Sequence, residues 1–143
     1  MISELAVKRI FLCFDAEPKC FASWSTLEHR QNNLSDFIPD QIDLYQSEKQ
    51  KNGGVSGLDL RSELTLEKVL NGNVLDYLFE QPQLIPEVLY FKKVFFFGTI
   101  YQDFRSEFFA RYLIACSQQC FWGYSNLREK MGGDDYVAVK LSP

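Results

Sequence analysis

Histidine is almost absent from this chain: His29 is the only one in 143 residues. A Ser-His-Asp triad or a Cys-His pair would have to be built on it. Its setting, Leu27-Glu28-His29-Arg30-Gln31, reads as a solvated helix face, and no G-x-S-x-G or cysteine-protease signature accompanies it. Phosphate loops are lacking as well. Gly53-Gly54 and Gly132-Gly133 have the spacing of neither a P-loop nor a dinucleotide fingerprint, and both read as turns.

The four cysteines, Cys13, Cys20, Cys116 and Cys120, do not form the paired short knuckles of a structural zinc site. No metal and no cofactor is expected. The N-terminus has neither a sustained apolar stretch nor a small-residue cleavage site, so the expectation is a cytoplasmic chain with free thiols. The longest apolar run, around Val94 to Phe97, is far too short to cross a bilayer, which argues against a membrane partner. A net charge of -4 argues against a general nucleic-acid role, because phosphate binding needs a positive surface. The basic strip Lys92-Lys93 with Arg105 and Arg111 is thin, and no RNA-recognition consensus surrounds Phe95-Phe96-Phe97.

Aromatic residues are plentiful at 15% of the chain, and 13 Phe account for most of them. Such side chains bury large areas, so a sheet built on them has a well-stabilised core. The length suits one domain spanning 1–143. Val7 to Phe14 reads as a buried strand. Ser25 with Glu28 has capping-box spacing and predicts a helix from Thr26, ended by Pro39. A second short helix is predicted from Asp40. The Ser, Asn and Gly cluster over 47–62 predicts a flexible loop before a C-terminal helix-plus-meander unit over 63–143. Leu64 to Leu70 predicts a short helical stretch with Gly72 as its C-cap. Asn73 would then cap a second helix, with Val74, Leu75, Leu78 and Phe79 on its buried face and Pro82 as its stop.

The remaining chain predicts four strands: Val94 to Tyr101, Phe108 to Cys116, Cys120 to Tyr124, and Tyr136 to Leu141. The second and third alternate as a hairpin about Ser117-Gln118-Gln119. Gly132-Gly133-Asp134-Asp135 marks the last turn. The expected fold is α+β, with an antiparallel four- to five-stranded sheet and short helices packed on one face.

Candidate chemistry is sparse. The carboxylate pairs Asp15 with Glu17, Asp103 with Glu107, and Asp134 with Asp135 all fall at predicted turns, where acidic side chains cap backbone groups. The strand from 93 to 101 is apolar on both faces, so it is either central or covered by a partner. Trp24, Phe97, Tyr112, Trp122 and Tyr124 are the expected anchors of such an interface. The leading expectation is therefore a non-enzymatic protein-interaction module that binds a protein partner or forms a homodimer. Size and charge alone would also suit a small acidic inhibitor or immunity-type protein. The alternative is a ligand-binding protein or enzyme with a pocket lined by Tyr101, Asp103, Arg105 and Arg111. Arg111 on an apolar strand is either solvated at an edge or buried with a carboxylate or an anion.

Overall fold

The computed structural model describes residues 17–19, 21, 23–31, 39–117 and 119–141. The strand expected over Val7 to Phe14 lies outside them. Strand β1 (Ser25–His29) comes first, then a 3-10 turn over Pro39–Gln41 leads into β2 (Ile42–Tyr45). Helix α1 (Glu48–Lys51), β3 (Val55–Ser56) and α2 (Gly57–Glu63) follow, then α3 (Gly72–Glu80). The C-terminal part carries β4 (Lys93–Phe95), β5 (Thr99–Gln102), β6 (Phe108–Cys116), β7 (Gln119–Asn126), β8 (Lys130–Met131) and β9 (Asp135–Lys140).

The fold is α+β, with a large, curled, mixed sheet of seven strands and few short helices. It is organised on β6. One edge of β6 takes β7 along its whole length, from Phe109↔Asn126 to Cys116↔Gln119. The other edge is shared: β5 pairs at Phe108 and Phe109, and β4 pairs at Tyr112 to Ile114. From there the sheet divides. One branch runs from β5 to β1, and the other from β4 through a parallel pairing with β9 to β2. The small β3–β8 ribbon stands apart.

Gly98 causes the fork. It interrupts what reads as one strand from Val94 to Tyr101, donating its N–H to Leu70 O at 2.9 Å and accepting from Arg30 N at 2.7 Å. A Cβ on Gly98 would come within 2.6–2.7 Å of backbone atoms of Leu70 and Asn71, so only glycine admits this approach. Through the parallel β4–β9 pairing the sheet is mixed rather than antiparallel, and it is larger than the four to five strands expected.

Side-chain alternation through Val94-Phe95-Phe96-Phe97 divides two cores. Val94 and Phe96 join Leu113, Ala115 and Ala138 beneath Val74, Leu75 and Leu78 of α3. Phe95 and Phe97 join Ala110, Ile100 and Val137 against Leu60, Leu64, Val55 and Met131. Helices thus cover both faces, not one. The aromatic run is central and needs no outside cover.

Local signals explain the helices and also where expectation missed. The segment over 47–62 is built of short elements instead of loop. Ser47 and Gln50 form a reciprocal capping box on α1, and Gly53 and Gly54, at φ 99° and 97°, turn the chain into β3. Ser56 caps α2 by accepting from Asp59 N. The stripe Val74, Leu75 and Leu78 does form the buried face of α3. Its cap, however, is Asn71, which accepts from Asn73 N and Val74 N, and Gly72 is the first helical residue, not a C-cap.

The helix expected from Thr26 is β1. Ser25 Oγ turns to Gln102 O at 3.4 Å instead of capping, and pairing with β5 overrides the capping-box spacing. From Asp40 only the 3-10 turn forms before β2 pairs with β9.

Glu28 ties the β1 branch to α2. It accepts from Arg30 Nε and from Arg61 Nη2, both at 2.9 Å. Burial pulls its pKa up, but the hydrogen bonds and charges of the two arginines outweigh this and hold it below the ordinary 4.5. A depressed folded pKa means that the stabilisation is present above the unfolded value and lost as pH falls through the folded one. Glu28→Gln should therefore lower the urea midpoint at pH 7, with the difference from wild type shrinking below pH 4.5. An undiminished difference at low pH would contradict this assignment.

Candidate functional site

Arg111 is the most unusual side chain of the sheet. It projects from β6 toward α3 and is 1% exposed. Its Nη2 donates to Asp76 Oδ1 at 2.8 Å and its Nη1 to Asp76 Oδ2 at 3.2 Å, a two-pronged pair with a carboxylate on α3. The guanidinium carbon lies 4.2 Å from the Trp122 ring centroid and 4.6 Å from that of Phe21. Arg111 Nε is buried with no hydrogen-bond partner among the described residues.

Aromatic side chains surround this pair. Trp24 stacks on Phe109 at 5.1 Å and meets Tyr124 edge-on at 4.7 Å. Phe21 lies 4.9 Å from Trp122 and 6.3 Å from Tyr101. Phe21 and Trp24 come from the segment preceding β1, which therefore lies across β5, β6 and β7. Lys19 holds the same segment to Glu80, at the end of α3, at 3.2 Å. Chemically, the arrangement is a cross-link of strand, helix and N-terminal segment, with the arginine's charge met inside the protein.

The four expected ligand residues do not form one cluster. Tyr101 and Arg111 belong to the aromatic assembly. Asp103 and Arg105 pair with each other in the β5–β6 turn, where Asp103 Oδ2 accepts from Arg105 Nη2 at 2.9 Å and Oδ1 from the backbone N–H groups of Arg105 and Glu107. Burial raises the Asp103 pKa, but the Arg105 side chain and these N–H donors together hold it below its ordinary value. Asp135 performs similar turn chemistry by accepting from Gly132 N at 2.9 Å.

Of the five expected interface aromatics, Phe97 is buried against Phe95 on the α2 side. Tyr112 lies over Gly123, with Lys93 Nζ 4.4 Å above its ring. Trp24 and Trp122 belong to the Arg111 assembly. Tyr124 remains 54% exposed.

His29 is not on a solvated helix face. Its Nδ1 lies 2.7 Å from Thr99 Oγ1, and that hydroxyl also accepts from Gly72 N at 2.7 Å. The imidazole therefore links β1, β5 and the start of α3. Cys116 and Cys120 are free thiols on opposite faces of the hairpin, since Cys116 pairs with Gln119 and Cys120 with Ala115. Burial, with the neighbouring Cys116 adding, pushes the Cys120 thiol above its ordinary range. Cys13 and Cys20 lie outside the described residues. Among the described residues, no group of three or more His, Cys, Asp and Glu could hold a metal ion, and no helix is long and apolar enough to cross a membrane.

Sequence reasoning missed Asp76 as the partner of Arg111, and it missed Phe21. Asp76 follows Leu75 of the buried helical stripe, and a carboxylate there is a signal for a buried cation. Phe21 carried no local signal. It also missed the character of the β7 edge. Among the described residues, three strands end the sheet. β1 slips register, with Leu27 unmatched between Thr26↔Tyr101 and Glu28↔Ile100, and it carries a charge. β2 has four residues and carries Asp43. β7 has eight, Gln-Cys-Phe-Trp-Gly-Tyr-Ser-Asn, with no charge, no proline and a continuous register against β6. Natural edges are commonly guarded by charge, bulge, proline or shortness, and β7 has none of these. No protein-family model, curated protein or solved structure matches the chain.

Proposed function

We propose that this protein is a non-enzymatic interaction module that binds by strand addition at the outer edge of β7. The carrying observation is that, among the described residues, this eight-residue edge is unguarded while β1 and β2 are guarded. Strand addition draws affinity from main-chain hydrogen bonds and specificity from alternate side chains. The hydrogen-bond phase of the hairpin identifies the free groups. Leu127 N–H donates to Phe108 O at 2.8 Å. Antiparallel pairs alternate, so Gln119, Phe121, Gly123 and Ser125 turn their backbone groups toward β6. Those of Cys120, Trp122 and Tyr124 point outward, whereas Asn126 O accepts from Glu129 N at 3.0 Å.

Peptide selection tests the reading. A displayed library is panned against the protein immobilised sparsely, and recovered peptides are assayed on Tyr124→Pro. Proline at that position removes an outward N–H and leaves the β6 pairing donors in place. Recovered peptides should be extended, alternately apolar sequences that bind wild type and lose binding to Tyr124→Pro. Recovery of none, or of peptides indifferent to the proline, would refute strand addition here.

A further inference from the structure

We infer that the strand added at β7 is β7 of a second copy, paired antiparallel about a two-fold axis perpendicular to the sheet; this rests on the strand-addition reading above. A partner strand must itself offer an unguarded edge, and this chain supplies one of matching length. With no charge at any of its eight positions, the edge presents nothing for a charged peptide to complement, and two copies meet without like charges in contact.

The two-fold axis keeps each face continuous across the junction, so residues that meet must share a face. They must also both point their backbone groups outward to form hydrogen-bonded pairs. A register centred on Trp122 satisfies both requirements. Trp122 then meets the partner's Trp122, and Cys120 meets the partner's Tyr124. Phe121 comes beside the partner's Gly123, the one β7 position without a side chain, next to the Tyr112 ring that covers that glycine.

This arrangement gives the exposed aromatics somewhere to go. Phe121 is 62% exposed on the α2 face and Tyr124 is 54% exposed on the α3 face. One two-fold junction brings both against the second copy, each beside a small residue. Ile114, the partner of Phe121 across β6, is also exposed and extends the apolar row on that face.

The test is light scattering after size exclusion on the full chain over a wide concentration range, with amide hydrogen exchange at low and high concentration. Wild type should dimerise, and the N–H groups of Cys120, Trp122 and Tyr124 should gain protection as dimer forms. Tyr124→Pro should raise the dimer Kd by roughly 10- to 100-fold, because the two-fold axis makes the substitution remove one main-chain bond from each copy, two in the dimer, and strand both acceptors. Tyr124→Ser, which keeps the N–H, should weaken the dimer less. Circular dichroism checks that the variants stay folded, and the exchange measurement on wild type decides the matter if they do not.

A monomer at every concentration, with those three amides exchanging freely, would overturn the second-copy inference; the peptide selection would then decide strand addition separately. A dimer whose three amides stay unprotected would overturn it too, because the copies would meet elsewhere.

Discussion

Asp76→Ala is expected to lower the free energy of unfolding by about 3–5 kcal/mol, the usual consequence of leaving a buried charge without its partner. Arg111 is 1% exposed, and its terminal nitrogens donate to the two Asp76 oxygens at 2.8 and 3.2 Å. Truncating Asp76 leaves both donors facing a site with no carboxylate. The ring contacts with Trp122 and Phe21 persist, but each is worth only about 0.5–2 kcal/mol and does not replace an anion.

The double variant Asp76→Leu with Arg111→Met separates two contributions. Removing both partners removes both desolvation costs, so it should be much less destabilised than Asp76→Ala, or not at all. Urea unfolding followed by tryptophan fluorescence checks both variants, since Trp122 reports directly on the site. A cost below about 1 kcal/mol for Asp76→Ala would mean that Arg111 reaches water in solution.

Gly98→Ala should cost about 3 kcal/mol, at the upper end of what overpacking produces. The added methyl meets backbone of Leu70 and Asn71 at 2.6–2.7 Å, and these atoms cannot rotate away as a side-chain end could. The same residues begin α3: Asn71 is its cap, and Leu70 O accepts the Gly98 N–H. Displacement therefore strains the β4–β5 break and the helix start together. Gly132→Ala is the control. Nothing lies within 4 Å of its added Cβ, and it should change stability by no more than about 0.5 kcal/mol. Equal effects of the two substitutions on the urea midpoint would refute the close-approach account of Gly98.

The C-terminal half was the legible part. Alternation from Phe108 to Cys116 and through Trp122 identified β6 and β7, because a period of two is a local property of a strand. The loop was misjudged by one residue: Cys116 pairs with Gln119, so two residues turn the hairpin. The α3 stripe was equally legible, since Val74, Leu75 and Leu78 fall on one face whatever they pack against. Misreadings gathered where one local pattern admits two structures. Ser25 and Glu28 carry capping-box spacing and yet lie on a strand, because pairing to β5 and the arginines bound to Glu28 outweigh it. The glycines near 53 suggested a loop and serve instead as a tight turn between capped short elements.

The candidate site was half legible. Arg111 stood out as an oddity of its strand, but solvation at an edge was the favoured reading, and burial left a carboxylate or an anion open as its partner; at 1% exposed it is buried, on a carboxylate. Which carboxylate could not follow, because Asp76 lies 35 positions away and reaches Arg111 only when α3 packs on the sheet. Of the aromatics expected at an interface, Phe97 is buried in the core, and Trp24 and Trp122 belong to the Arg111 assembly. The chain's own Phe21 and Trp24 supply much of their cover.

By itself, the sequence determined the repeating elements, the turns at Gly132 to Asp135, the aromatic core and the α+β class. These depend on spacing within a few residues. Only the tertiary structure decided that Gly98 breaks a strand in two, that β4 and β9 run parallel, that both faces carry helices and that, among the described residues, β7 ends the sheet without a bulge or a further strand. Each depends on contacts between residues distant in the chain, whose free energy exists only once the segments have come together.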